Sequence, residues 1–175
     1  MIRLILVSGG NSVEHEISII SAVQAMLNID TEKYDVVPVY MTKDNKFYTG
    51  EQLKDIEKYK DIKALLENCQ RVNLQNIDGK VTLLAYPIKK FGKNEINYID
   101  VALPVVHGTN VEDGNLQGYL HMLDVPYGGC DVLSSAVGMD KFAQKAIMAS
   151  NGIPVLPAKC FDMKRYNKEE KKVYR

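Results

Sequence analysis

The sequence predicts an α/β fold, a largely parallel sheet with helices on both faces, followed by part of a second domain. Three observations carry that expectation. The chain opens as strand, glycine turn, helix and strand, an order that implies a parallel pair joined by a right-handed crossover. A further apolar run, Val101 to Val106, has the β-branched enrichment of a buried strand and breaks at His107-Gly108 into a polar loop. After Gly128-Gly129 the pattern turns helical, which sets a first domain over 1–128 and the start of a second over 129–175.

Taken in order, Arg3 to Val7 is a short strand and Ser8-Gly9-Gly10-Asn11-Ser12 is turn chemistry. From about Val13 the period changes. Ile17, Ile20, Val23 and Leu27 recur at helical spacing, so a helix runs to about Asn28, with Asn11 or Ser12 as its cap. Tyr34 to Met41 is the second strand, and Phe47 to Thr49 a short third. Glu51 to Asn68 reads as one or two surface helices. Arg71 to Gln75 and Val81 to Ile88 read as a β-hairpin inside an insertion of about 44–98, and Lys89 to Asn97 as a polar excursion. Past the central loop come a helix over Asn115 to Leu123 and a short strand, Val125-Pro-Tyr127. Helices over Asp131 to Val137 and Asp140 to Ser150 follow, with Asp140 as cap and Gly152 as stop; Val155 to Phe161 is a candidate strand. The Lys- and Glu-rich tail from Lys164 to Arg175 has no stop signal, so the end reads as a cut within a longer chain.

Composition narrows the classes. The chain has 175 residues and is 46% hydrophobic, enough for a buried core. Lys plus Arg and Asp plus Glu balance at 22 each, so no basic surplus exists for a phosphate backbone, and no nucleic-acid partner is expected. No apolar run approaches the ~18 residues of a membrane span, and the apolar N-terminus reaches Gly9-Gly10 too early for a signal peptide. Cys69, Cys130 and Cys160 are odd in number and far apart, which suits reduced thiols in a cytoplasmic protein.

Several residues carry candidate chemistry. The stretch His107-Gly-Thr-Asn-Val-Glu112-Asp-Gly114 places an imidazole and two carboxylates in a loop at the carboxyl end of a strand, where α/β proteins present binding groups. A plain Gly-rich connector with solvated charges is the alternative. The Gly9-Gly10 turn sits where phosphates bind, yet it lacks the full G-x-G-x-x-G, and Glu14 would aim a negative charge at a pyrophosphate. A carboxylate there suits an ammonium group, or else only compensates the helix dipole. Glu14-His15-Glu16 lacks the second histidine of a zincin helix, since position 19 is Ile. His121 reads as an ordinary helix histidine. Lys141, after Asp140, is a surface lysine or a cation reaching for phosphate. Neither a P-loop nor a G-x-S-x-G elbow is present.

Three ordered blocks resemble one family. Gly9-Gly10-Asn-Ser-Val-Glu14-His-Glu-Ile-Ser18 resembles the N-terminal signature of D-alanine–D-alanine ligases. His107-Gly-Thr-Asn-Val-Glu112-Asp-Gly114 with Gln117-Gly118 is similar to the second signature. Val125-Pro-Tyr127 through Asp140-Lys141 is similar to the third, and the match is weakest between about Asp44 and Tyr98. The resemblance implies a Rossmann-like (pre-ATP-grasp) first domain and the start of an ATP-grasp central domain, from an enzyme that joins two D-alanines for peptidoglycan. ATP phosphorylates the first carboxylate in that family, the second amine attacks the acyl phosphate, and Mg or Mn ions bridge the phosphates. It further implies a cytoplasmic homodimer paired through the N-terminal domain. By carry-over Glu14 binds the first D-alanine's ammonium, Ile17 adds contacts, His107 orients the carboxylate and Lys141 contacts ATP phosphates. Glu112 is assigned no chemical step and holds His107 in place by hydrogen bonds.

Two departures bear on that reading. The family usually has Gly before Glu-Asp-Gly, and here Val111 stands there. A β-branched residue tolerates positive φ poorly, which predicts another loop path and leaves D-serine or D-lactate open as second substrate. The family's adenine site, flexible loop and metal carboxylates have no counterpart in these 175 residues, so the chain alone is expected to be inactive. The alternatives are a non-catalytic amino-acid-binding module and a dimerisation module.

Overall fold

A computed structural model describes residues 1–164 and 166; the rest of the Lys- and Glu-rich tail lies outside the described residues. The chain divides into two compact units, Met1–Ala136 and Val137–Arg175.

The first unit is built on β1 (Ile2–Gly9). β2 (Tyr34–Met41) runs parallel on one side, in register from Ile2 opposite Tyr34 to Gly9 opposite Met41. β7 (Val101–Pro104) runs parallel on the other side, with Leu4 opposite Val101 and Val7 opposite Pro104. Helix α1 (His15–Asn28) is the crossover from β1 to β2. Both faces of β1 are covered, as its continuous apolar run requires. Ile5 and Val7 join Val37, Val39, Val111, Leu116 and Leu120 in one core cluster, beneath α3 (Asn115–Met122). Leu4 and Leu6 pack with Ala22 of α1 on the opposite face.

Beyond β2 the same sheet continues antiparallel through β3 (Phe47–Thr49), β4 (Gln70–Ile77), β5 (Lys80–Ala85) and β6 (Glu95–Tyr98). The order is β6-β5-β4-β3-β2-β1-β7. The α/β class therefore stands, but the sheet is mixed rather than largely parallel. The expected β-hairpin is β4 and β5, paired antiparallel from Val72 opposite Ala85 to Ile77 opposite Lys80. Its strands extend the main sheet because Val72, Leu74 and Leu83 share one apolar face with β1 and β2. Between β3 and β4 lie two short 3-10 turns and α2 (Ile62–Glu67), whose Leu53 and Leu65 cover Tyr40.

Four expectations need correction. The spacing that predicts α1 is not the face that the helix buries: Ile17, Ile20 and Leu27 are exposed, while His15, Ser18, Ile19, Ala22 and Val23 are buried. Small and polar residues line that contact because the helix lies close on the sheet and uses Ser18 for hydrogen bonds. The supposed excursion Lys89 to Asn97 ends in β6, an edge strand too exposed to show alternation. Val125 to Tyr127 makes a single bridge, Tyr127 to Ala102, and not a strand. Val155 to Phe161 forms no strand, there being no partner strand among the described residues of its own unit.

Helix α4 (Val132–Met139) crosses the boundary, most of it in the first unit, and the second unit holds its end and α5 (Lys141–Ser150). Asp140 caps α5, its carboxylate accepting from the Phe142 and Ala143 amides at 2.9 Å each.

Candidate functional site

Because β1 and β7 are parallel neighbours, the turn after β1 and the loop after β7 emerge on the same edge of the sheet. Gly9 and Gly10 take φ of 82° and 97°. A Cβ on Gly9 would lie 2.3 Å from the Met41 carbonyl oxygen, so the turn admits no side chain there. The Gly10 amide donates to that same carbonyl at 2.7 Å, tying the turn to the end of β2.

Ser12 joins the turn to the loop. Its hydroxyl donates to the His107 carbonyl at 2.6 Å and accepts from the Glu14 amide at 3.0 Å. The expectation that Asn11 or Ser12 caps α1 is corrected: Glu14 stands at the cap position with no side-chain cap bond, and Ser12 holds the amide of that residue instead. The Glu14 carboxylate lies against Gly108: a Cβ there would sit 2.9 Å from Glu14 Oε2 and 3.0 Å from Ser12 Oγ. With φ of 88°, Gly108 has two reasons to lack a side chain. The Glu14 carboxylate thus lies against the residue that follows His107.

The loop is held from three directions. The His107 amide donates to Ser18 Oγ at 2.8 Å, and His107 Nε2 lies 3.0 Å from Ser21 Oγ. Glu112 closes a small ring, accepting from the Gly108 amide through Oε2 and donating its own amide to the Gly108 carbonyl, both at 2.9 Å. It grips the residue after His107 rather than His107 itself. Asp113 accepts from the Asn110 amide at 2.8 Å, and Asn110 Nδ2 donates across to the Asn11 carbonyl at 2.9 Å. Besides its glycines, Asn110 and not Val111 takes positive φ in this loop, at 67°. Val111 is fully buried and fills the space over Gly10, where a Cβ would meet its Cγ1 at 2.3 Å. The β-branched residue is accommodated as a core side chain, with its neighbour taking the left-handed conformation that Asn tolerates.

His15, set aside above as a metal ligand, is buried in the same turn. Its Nδ1 lies 2.6 Å from the Gly10 carbonyl oxygen and its Nε2 2.9 Å from the Tyr40 hydroxyl. Burial pushes the Tyr40 hydroxyl up to about 12, with the negative charges of Glu16 and Asp44 adding to the shift. Ser18, Ser21 and Asn110 are further members that the motif reading passed over. Their signal was a pair of serines three apart inside an apolar helix pattern, which marks one helix face as a hydrogen-bonding surface.

The charges around the turn differ in their commitments. Lys43 pairs with Glu16 at 3.0 Å and its hydrogen bond holds that carboxyl below the ordinary range. No cation among the described residues pairs with Glu14, whose side chain is exposed. Ile17, one turn along α1, is 53% exposed. Lys141 is the exposed first residue of α5 in the second unit. Among the described residues no three His, Cys, Asp or Glu side chains group as a metal site. No helix there is long and apolar enough to cross a membrane.

Comparison with known families matches residues 3–130 to the model described as D-ala D-ala ligase N-terminus. The chain belongs to the D-alanine–D-alanine ligase family. Among relatives, it is 41% identical over 170 residues to the D-alanine–D-alanine ligase of Thermosipho africanus, covering 97% of this chain and 44% of that protein. It is 38% identical over 156 residues to the ligase of Thermosipho melanesiensis, covering 89% and 42%. Among solved structures, the VanG D-Ala:D-Ser ligase of Enterococcus faecalis superposes with a TM-score of 0.77 at 29% identity, over 99% of this chain and 48% of that one. The D-alanine–D-alanine ligase of Coxiella burnetii gives 0.77 at 28%, over 98% and 49%. The resemblance read from the three sequence blocks is borne out, and the chain spans about half the length of the ligases it matches.

Proposed function

We propose that this chain is the N-terminal part of an ATP-dependent ligase that joins two D-alanines through a D-alanyl phosphate, supplying bacterial peptidoglycan synthesis. The single observation that carries the site assignment is the Glu14 carboxylate, exposed and without a cation, lying against Gly108 beside His107. Joining two zwitterions requires an anion for an ammonium group, and Glu14 is the uncommitted carboxylate at the carboxyl edge of the sheet. Glu14 binds the ammonium of the first D-alanine, Ile17 supplies apolar contact one turn away, and His107 orients the carboxylate. Glu112 keeps the Gly108 amide fixed and takes no chemical step.

ATP and Mg or Mn belong to the same reading. A relative from Bacillus anthracis has been solved with ATP, at 26% identity. On this chain the fit is narrow. Lys141 offers one cation to a phosphate, while Asp140 already occupies the amides at the start of α5. Among the described residues no three His, Cys, Asp or Glu side chains could together hold Mg or Mn. The proposal divides the chain into a substrate domain over 1–128 and the beginning of the ATP-grasp domain over 129–175. The family match ending at residue 130 supports that boundary, whereas the compact units meet at Ala136–Val137. Pairing into a homodimer is also proposed, supported by the exposed Ile20 and Leu27 of α1. Placement in the cytoplasm rests on the family resemblance. D-Serine as second substrate is the alternative, supported by the likeness to the D-Ala:D-Ser ligase.

The test is an amide-shift titration of the chain with D-alanine and, in parallel, L-alanine. Shifts centred on Glu14, His107 and Gly108 with D-alanine alone are expected. Shifts elsewhere, or none, would remove the site assignment. ATP- and D-alanine-dependent phosphate release is expected to be absent; sustained release would show that the chain needs no further residues.

A further inference from the structure

One buried titratable side chain in the turn has no part in the reading above. His15 is 1% exposed and follows Glu14 directly, so that the carboxylate points outward while the imidazole points into the core. The Gly10 carbonyl oxygen 2.6 Å from Nδ1 can only accept, so Nδ1 carries the hydrogen. Nε2 is then the acceptor and takes the Tyr40 hydroxyl hydrogen at 2.9 Å. Tyr40 is itself 2% exposed, and its ring stands edge-on to the imidazole at 5.5 Å and to Tyr59 at 5.6 Å. Filling this space does not require an imidazole. A leucine would do so without the cost of desolvating two ring nitrogens.

What the imidazole adds is a fixed carbonyl. The Gly10 oxygen that accepts from His15 also accepts from the Ser12 amide at 3.1 Å. The Ser12 hydroxyl in turn holds the Glu14 amide and the His107 carbonyl. A continuous hydrogen-bond path therefore runs from Tyr40 through His15, Gly10 and Ser12 to both groups of the candidate site.

We propose that His15 is a positioning residue of the amino-acid site: Tyr40 locks it in the Nδ1–H tautomer, and that hydrogen fixes the turn that sets Glu14 beside His107. It touches no substrate. The inference rests on the reading that Glu14 and His107 bind one amino acid, and its tests are chosen to fail separately from that reading.

The tautomer is measured first, by long-range proton–nitrogen correlation on the 175-residue chain at neutral pH. A protonated Nδ1 and a bare Nε2 are expected for His15. The opposite tautomer, which imidazoles favour in water, overturns the proposal because Nδ1 would then have no hydrogen to give the Gly10 carbonyl. Two substitutions follow. His15→Asn keeps an N–H where Nδ1 stood, and His15→Leu keeps bulk without a donor. With far-UV circular dichroism unchanged, His15→Asn should hold D-alanine affinity within about threefold, and His15→Leu should lose about tenfold or more. Equal losses, or none, would show that the donor does not matter. If His15→Leu does not fold, Tyr40→Phe takes its place and should release His15 to a mixture of tautomers; an unchanged tautomer overturns the lock. Should the unaltered chain not bind D-alanine, hydrogen exchange at the Ser12 amide still decides. It is expected to quicken in His15→Leu and to stay near the unaltered rate in His15→Asn, and no difference between the two sinks the proposal.

Discussion

The hydroxyl of Ser12 and the carbonyl of His107, 95 positions apart in sequence, are joined at 2.6 Å. That bond spans the turn after β1 and the loop after β7, and the same hydroxyl receives the Glu14 amide. Ser12→Ala takes this shared hydroxyl from both groups at once and leaves a part-buried carbonyl unpaired. A loss of about 1–3 kcal/mol in unfolding free energy is expected, read by urea denaturation. Ser12→Thr, which restores the hydroxyl, should recover most of it; equal losses in both variants would mean that the bond contributes little.

Glu14→Gln tests the charge alone, since the amide keeps the size and loses the anion. A charge-assisted contact contributes about 1.5–3 kcal/mol, so D-alanine should bind roughly ten- to a hundredfold more weakly. Titration calorimetry measures this. Unchanged binding would transfer the ammonium to another group.

Gly10 and Val111 occupy one space between them. Gly10→Ala adds a Cβ 2.3 Å from Val111 Cγ1 at a φ of 97°. A cost above about 2 kcal/mol is expected from overpacking and backbone strain together. Val111→Ala costs about 1–3 kcal/mol by opening a buried cavity. The double variant should cost less than the sum of the two, because the smaller residue makes room; the strain of the positive φ remains. Strict additivity would contradict the contact.

Tyr40 and Tyr59 set an alkaline limit on stability. Burial holds both hydroxyls neutral above their ordinary range, Tyr40 up to about 12. The contribution is present below the unfolded value near 10 and is lost as pH rises from there towards 12. The melting temperature should therefore fall across that interval, and Tyr40→Phe should flatten part of the slope. A flat profile in the unaltered chain would place the two hydroxyls in water.

Asp140→Ala deletes the carboxylate that accepts two amides at the start of α5 and should cost the second unit about 1 kcal/mol. Lys141→Ala, one residue later and exposed, should leave the melting curve unchanged. A drop with Lys141→Ala would point to a structural task for that amine.

Much of this architecture was legible in the residues. β2 and β3 begin and end where the apolar pattern places them, and the strand–turn–helix units around Gly10 and His107 follow from breaks in periodicity. Other features were not, for physical reasons. β6 is an edge strand whose Glu95 and Tyr98 face solvent, which hides the alternation of a half-buried strand. The buried face of α1 includes His15 and Ser18, because hydrogen bonds to Gly10 and His107 outweigh the preference of such side chains for water. Hydrophobic spacing counts only apolar residues and so chose the wrong side of the helix. The route of the Val111 loop depended on Asn110 taking the left-handed conformation, a choice made by a neighbour and invisible at the substituted position itself.

The placement of β1 between β2 and β7 also governs the order in which the molecule can be made. β1 leaves the ribosome before both of its partners, and one of them is not complete until Pro104. At roughly 5–20 residues per second the interval is about 5–20 s, during which one edge of this apolar strand lacks its permanent neighbour. The nascent chain must shelter Leu4 and Leu6 in the meantime, and α1, made next, lays Ala22 over them before the remaining sheet exists. The helix that begins just after Glu14 thus first serves as a cover for the strand it follows.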